Sequence, residues 1–560
     1  MDTARIITAT PPPRRAGPTA SVTTPAPGSS GAPAAAAAAA RPDVDAQRTV
    51  RVARNAVSNY ARFFGNGVVS FLLTPLMVHV LGDGGYGLWV TVFSLTGYFG
   101  LVDQGLRPSL VRYVSKERAA GDVDALSRTL TSAMLLYSCA GIVVMGATFV
   151  LASGFGHWVH LRPDQIPAAR ATLLLAGASL ALGFPFGVFG AALSGLQRYD
   201  IANGLGLIVL LLRAVAFVVV LRMGGGLVAL GWVALITTLL GHVLTWRAVR
   251  RLIPEARFSR RFVDRAHLAR IGAYSGFSFI AAVSASLAFK TDALVITGFL
   301  GTAWVTPFAL ASGLVDNART LVYSATWVLS PTASELDTLG EKGKLHAMLI
   351  SGAKYSVLIC WPVLFALIVF GGCLLVTWMG PRYESAARII TILALPTLIA
   401  LPQSAASSVL FGVSRHRGVV LLALLNAVLN LGLSLLWVRP WKLEGVALGT
   451  AVPLVLVSGV ATGVYASRAL DMPFARYAWN GLLRPGLVSL SFLVPALLLR
   501  AVWRPIGWGP LIVAVGIPWL IFVVTTWRFG FSAPERARWG QTIPRVFGWR
   551  RVPRASGVVQ

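Results

Sequence analysis

The sequence predicts an all-α, polytopic integral membrane protein of about fourteen transmembrane helices. Three observations carry that expectation. Hydrophobic residues make up 56% of the 560 and charged residues only 12%, whereas soluble domains hold about 25% charged residues. Apolar runs of about 20 residues, the length that crosses a bilayer core, recur along nearly the whole chain. Lysine and arginine, finally, fall unevenly on alternate connections between those runs.

The chain begins with a tail, residues 1–54, rich in Pro, Ala, Ser and Thr and carrying seven consecutive alanines from Ala34 to Ala40. Such a composition buries too little apolar surface to fold, and a disordered tail is expected. Apolar runs follow at roughly 60–81, 86–110, 130–153, 171–195, 201–221 and 225–246. A second set lies at 272–300, 303–330, 347–371, 386–411, 418–437 and 443–466, and a last pair at 479–499 and 506–527. These divide the chain into a first lobe at 55–250, a basic linker at 251–270, a second lobe at 271–470 and a final helix pair at 471–527. A basic tail completes it at 528–560, with seven arginines interleaved with Trp539, Phe547 and Trp549. That interleaving suits a segment held against anionic membrane lipids.

With the N-terminus placed in the cytoplasm, the inside segments hold 35 Lys and Arg, the outside loops 9, and five fall within spans. The asymmetry predicts an even number of spans with both termini cytoplasmic. The most basic loop runs from Arg247 to Arg270, with eight arginines against Glu255 and Asp264. It reads as the connector between two comparable blocks. These are faintly similar to each other: a shift of 219 residues lays Leu81-Gly82 on Leu300-Gly301, Gly121 on Gly340 and Leu126 on Leu345. With a small gap, Gly100 through Asp103 matches Gly313 through Asp316. A duplicated six-span unit is expected, as in many transporters.

Composition and motifs exclude several classes. A net charge of +28 invites a nucleic-acid partner, but the charge is confined to short loops and tails and no nucleic acid is expected. Cys139, Cys360 and Cys373 sit in apolar runs and make no metal or disulfide pattern. There is no Walker A sequence, nucleophile elbow or zinc-protease motif, and the outer loops are short, so neither an enzyme nor a cofactor is expected.

The candidate chemistry lies in charges inside the spans, each costing about 2.5–3.5 kcal/mol on insertion scales and therefore functional or paired. Asp103 with Arg107 (i,i+4) and Asp316 with Arg319 (i,i+3) can neutralise each other on their own helices. They read either as structural pairs or as gating and coupling groups. Arg62 and Lys354 lie near predicted inner ends of spans, where they either snorkel to the interface or mark a cavity entrance. Arg213 and Lys290 fall near the midplane without an acid three or four residues away; Asp292, at i+2 from Lys290, faces elsewhere on a helix. Unpaired cations at that depth face either a substrate anion or a carboxylate on another helix. Asp292 is a further candidate for coupling.

The motifs Thr74-Pro75, Val80-Leu-Gly82, Tyr86-Gly-Leu-Trp89, Leu101-Val-Asp103-Gln-Gly-Leu106 and Val111-Arg-Tyr113, with Thr291 through Gly301, carry a resemblance. It covers about residues 50 to 527. The chain resembles the polysaccharide transporter, or Wzx-type flippase, branch of the multidrug/oligosaccharidyl-lipid/polysaccharide superfamily. The long first tail and the basic last one depart from that pattern. The resemblance implies two six-helix lobes around a central cavity plus two C-terminal helices. It also implies a bacterial cytoplasmic-membrane flippase exporting a polyprenyl-diphosphate-linked glycan, with a glycan polymerase or other assembly proteins as partners. Arg213 and Lys290 then meet the diphosphate. The alternatives are a multidrug exporter of the same superfamily, a peptidoglycan-precursor flippase and, least in keeping with the short loops, a membrane glycosyltransferase or polymerase.

Overall fold

In the computed structural model, the residues described are 41–158, 161, 163–269 and 291–537. The N-terminal tail to residue 40, the C-terminal tail from 538, most of the predicted seventh span and Lys290 lie outside them. By contacts the chain forms two units, Met1–Ala56 and Val57–Gln560. The first is described only where it contributes the start of a helix; everything below concerns the second.

The described residues are almost entirely helical and contain no strand. In order the helices are α1 (Arg41–Phe99), α2 (Leu101–Ala120), α3 (Val123–Trp158), α4 (Ile166–Gly195), α5 (Tyr199–Arg222) and α6 (Leu227–Leu252). Next come α7 (Thr291–Leu300), α8 (Thr302–Thr326), α9 (Leu329–Thr338), α10 (Lys342–Met379), α11 (Ala387–Ala400), α12 (Gln403–Gly412) and α13 (Arg417–Pro453). A π-helical turn, Leu454–Ala461, leads to α14 (Thr462–Ala469); α15 (Phe474–Tyr477), α16 (Arg484–Val502) and α17 (Trp508–Thr525) complete the series.

Among the described residues, ten segments are long and apolar enough to cross a membrane. Two of them are hairpins. At Gly82 (φ 70°) α1 reverses, so that Met77 packs with Tyr86 and Trp89. At Lys442 (φ 48°) α13 reverses, and Asn430 then donates to Thr450 at 3.0 Å while Ser434 donates to the Val446 carbonyl at 3.4 Å. Counting both arms of each hairpin, with α7 and α8, the order accommodates the fourteen crossings expected.

The connections repeat. Left-handed residues stand at Gly82, Gly121, Gln197 and Gly224, and again at Gly301, Gly340, Ser414 and Lys442, offset by 219, 219, 217 and 218 residues. At Gly121 the amide donates to Arg118 and the next amide to Glu117; at Gly340 the same pair of bonds runs to Asp337 and Leu336. This is the cap in which a left-handed residue satisfies the last carbonyls of a helix, and glycine enters the left-handed region at least cost. The sequence similarity at an offset of 219 therefore falls where the backbone demands the same conformation twice.

Buried apolar side chains of the first half cluster among themselves, around Leu110, Tyr137, Val188 and Phe189 and around Leu88, Phe155 and Leu173. Those of the second half gather around Val305, Leu364, Phe370 and Ile390. Val78 of α1 joins the second group, with Phe71 packed against it. Elsewhere large apolar side chains face outward, as a lipid-exposed surface requires. On α5, Ile208, Leu211, Val215 and Val219 form one exposed stripe, while Ala202, Gly206, Val209 and Arg213 form another that faces a cavity. Two stripes on one helix give it a lipid side and a polar side.

Candidate functional site

The cavity has a volume of about 710 Å³ and is lined by residues 62–245, from α1, α2, α4, α5 and α6. Among the described residues, Arg62, Arg107 and Arg213 contribute guanidinium groups, against Asp103 as the one carboxylate, with His242 also on the wall. An apolar segment tolerates such charges where it borders a hydrated space. Small residues on α4 and α5 make the room: a Cβ on Gly206 would stand 2.9 Å from the Arg62 guanidinium carbon, and one on Gly183 2.6 Å from His242.

The cations are held by neutral groups. Arg213 donates to the Thr237 hydroxyl at 2.9 Å and the Thr238 hydroxyl at 2.8 Å, and has no acidic partner among the described residues. Arg62 donates to the Asn203 side-chain oxygen at 3.4 Å. Arg107 approaches Asp103 to only 3.9 Å and donates to Ser194 at 3.4 Å. Asp103 instead accepts from the Tyr137 hydroxyl at 2.8 Å. The sequence suggested a self-neutralised pair on α2; a third residue from α3 draws the carboxylate aside and leaves the guanidinium partly uncompensated. Preorganised, incompletely neutralised arginines can bind phosphate oxygens in bidentate fashion.

The pair in the second half is arranged differently. Arg319 is buried and donates to Asp316 at 2.9 Å and to Thr397 at 3.0 Å. Asp292 is 8% exposed and accepts from Thr450 at 3.0 and 3.2 Å, with no cationic partner among the described residues. On α13, Asn426 is buried with its side-chain oxygen unsatisfied. Lys354 does not line the large cavity. It pairs with Glu535 at 2.8 Å and borders a separate cavity of about 440 Å³, because that carboxylate offers it a nearer counter-charge than the cavity entrance anticipated for it. Lys290 is outside the described residues.

His242 escaped the sequence reading. Its signal was present as Thr238, His242 and Thr245, a polar stripe at helical spacing on an otherwise apolar helix.

One end of the bundle is tied shut. Next to Gly82, Asp83 accepts hydrogen bonds from Arg382 and Tyr383, and its carbonyl accepts from Thr306 at 2.7 Å. Arg504 pairs with Glu384. Trp378 donates to the Phe71 carbonyl at 2.9 Å and its ring stacks on Phe71. Deeper in, the Thr91 and Thr297 hydroxyls are 2.6 Å apart, as are those of Tyr98 and Thr291. Apart from the Arg504–Glu384 pair, which lies within the second half, these contacts join the two halves, those of Asp83 beside the Gly82 reversal, whereas the cavity reaches to Arg62 at the far end of that arm of α1.

A charged cavity within a multi-pass helical bundle whose halves meet at one end defines an integral membrane transport protein. The chain belongs to the family described as "Polysaccharide biosynthesis protein", whose model matches residues 52–337. It is 20% identical to the "Uncharacterized membrane protein EpsK" of Bacillus subtilis, over 74% of this chain and 83% of that one. It is 19% identical to the "Putative O-antigen transporter" of Shigella flexneri, over 72% and 95%. In fold it is similar to the lipid II flippase MurJ in an inward closed conformation, with a TM-score of 0.66 at 13% identity, covering 87% of this chain and 99% of that one. A multidrug resistance MATE family transporter of the MOP superfamily, inward-facing, gives 0.59 at 14% identity, covering 72% and 94%.

Proposed function

We propose that the protein is a flippase that moves a polyprenyl-diphosphate-linked oligosaccharide across the bacterial cytoplasmic membrane for cell-surface polysaccharide assembly. The observation that carries the proposal is the first-half cavity, where Arg62, Arg107 and Arg213 outnumber Asp103. A diphosphate carries the opposite charge in compact form, and a glycan can occupy the remaining polar space. The excess of cations disfavours the organic cations that a multidrug exporter would carry. Family membership supports the reading, as do relatives named for O-antigen transport and for lipid II flipping.

In this reading both termini and the Arg247–Arg270 loop are cytoplasmic, on the charge asymmetry of the sequence. The cavity is then loaded from the cytoplasm while the Asp83 contacts close the outer end, and alternating access releases the head group outside. Arg213 and Lys290 bind the diphosphate, with Arg62 at the entrance. Asp103, Arg107, Asp316 and Arg319 act in gating. Asp292, buried against neutral donors, is the coupling group through which an ion gradient drives the cycle. No reaction is catalysed; a polymerase or other assembly protein takes the product.

The test is reconstitution in liposomes with a lipid-linked saccharide. The expected result is a change in sidedness with no change in substrate mass. A lengthened glycan would replace the flippase with a polymerase, and no movement of any lipid-linked saccharide would remove the proposal.

A further inference from the structure

The second cavity lies between the start of α10, the α15–α16 region and the end of the last helix, at the Gly121 end of the bundle. Its walls carry Lys354, Arg476 and Arg484 against a single acid, Glu535. Lys354 and Glu535 satisfy each other at 2.8 Å, and the Tyr355 hydroxyl and Ser532 add bonds to the same carboxylate. Arg476 and Arg484 have no acid within ion-pair distance among the described residues. They stand eight residues apart, with Asn480 midway, so all three side chains fall on one helical face. That face is distorted: Ala478–Leu483 is π-helical, and so is Thr526–Gly530, which forms the opposing wall. Two of the three π-helical segments among the described residues therefore border one cavity, and such insertions recur at functional sites.

The surroundings say what kind of anion fits. Phe529 lines the cavity and is exposed, and Trp479 and Trp527 are exposed on the two π-helical segments that border it, as aromatic side chains are at the level of lipid head groups. From exposed Leu483 the surface continues along α16 with exposed Leu487 and Val494, a face suited to acyl chains. A soluble anion needs the two arginines only; a lipid uses the arginines, the aromatic rim and the apolar face together. Basic pockets between transmembrane helices at the cytoplasmic level are recurrent head-group sites.

We propose that this cavity is a binding site for the phosphodiester head group of an anionic membrane phospholipid, gripped by Arg476 and Arg484, with its acyl chains lying along α16. The site is separate from the large cavity and does not depend on what that cavity carries.

The experiment uses the full-length protein in nanodiscs and detergent, with phosphatidylglycerol and phosphatidylcholine of identical acyl chains as probes. Lipid retention is read by native mass spectrometry and binding by tryptophan fluorescence. Phosphatidylglycerol should be retained about tenfold or more over phosphatidylcholine. Arg476→Gln with Arg484→Gln should abolish that preference, Arg476→Lys with Arg484→Lys should keep most of it, and Arg213→Gln should leave it unchanged. If the double Gln variant unfolds, each single variant should show a partial loss. Equal retention of the two lipids, or an unchanged preference in the Gln variants, overturns the proposal. Displacement of the lipid by inorganic phosphate at matched concentration also overturns it, assigning the arginines to a soluble anion.

Discussion

Arg213 shows how a single residue can be read in two environments. Its two threonine partners are neutral, so its charge is available to an anion while its position is fixed. A charge-assisted hydrogen bond contributes about 1.5–3 kcal/mol, and replacing Arg213, Arg62 or Arg107 by Gln should weaken diphosphate binding by about ten- to a hundredfold. Protein abundance should hold, since none of the three leaves a tightly paired buried acid behind. Combined substitutions should fall short of additivity, because all three act on one anion. Transport and abundance measured on the same variants check this; normal transport by a well-expressed triple Gln variant would remove the cavity from the substrate path. Glu535 gives a second expectation. Burial raises its pKa, but hydrogen bonds from Lys354 and Ser532 outweigh that and hold it down to about 2. A depressed carboxylate stabilises docking above its unfolded pKa of about 4.3 and loses that contribution only as pH falls through the folded value. Tryptic cleavage after Arg536 should therefore proceed at a rate insensitive to this group from about pH 5 to about pH 8, once the protease's own pH response is subtracted.

At the scale of helices, the reversal at Gly82 sets the closed end. Gly87, one turn further on, lies so close to α8 that a Cβ there would stand 1.8 Å from the Thr302 carbonyl oxygen. Gly87→Leu together with Asp83→Asn should force the halves apart at this end. A cysteine placed at Thr96, on the cavity wall, should then react with an impermeant thiol reagent from the Gly82 side, in a chain lacking the exposed Cys139. An unreactive Thr96→Cys in the opened variant would mean that the closure lies elsewhere. Which elements the sequence disclosed follows from how far the interactions reach. Helices and their turns are local: a run of about 20 apolar residues and a glycine at the cap are enough, so the crossings and the offset of 219 were legible. The place of Arg213 well inside α5 was legible for the same reason. The Tyr137 bond that draws Asp103 from Arg107 spans 34 residues, and the Glu535 partner of Lys354 lies 181 residues away. No local spacing encodes either, so the interface and a cavity entrance stood open for Lys354 while its Glu535 partner stayed hidden. His242 has no neighbour in sequence to mark it, and only the polar stripe on its own helix could have done so.

For the whole molecule, charge distribution and architecture make one joint prediction. If the 35-to-9 asymmetry sets orientation, cysteines introduced after Arg257 and near Gly340 should be unreactive to an impermeant reagent in intact cells, and one at Gly82 or Gly507 reactive. Labelling after Arg257 from outside would invert the lobes and, with them, the direction in which the cavity is loaded. Among the described residues, those lining the large cavity fall between Arg62 and Thr245, before the basic loop is reached. During synthesis, then, the ribosome has released Arg62, Arg107 and Arg213 with the walls that carry them before the second half is made, and the later half adds its side of the closure, from Thr306, Arg382 and Tyr383. Assembly of these walls need not wait for the rest of the chain. Two genes encoding the pieces on either side of Arg257 should yield, when expressed together, a working transporter, and the first piece should be the one that inserts without the other.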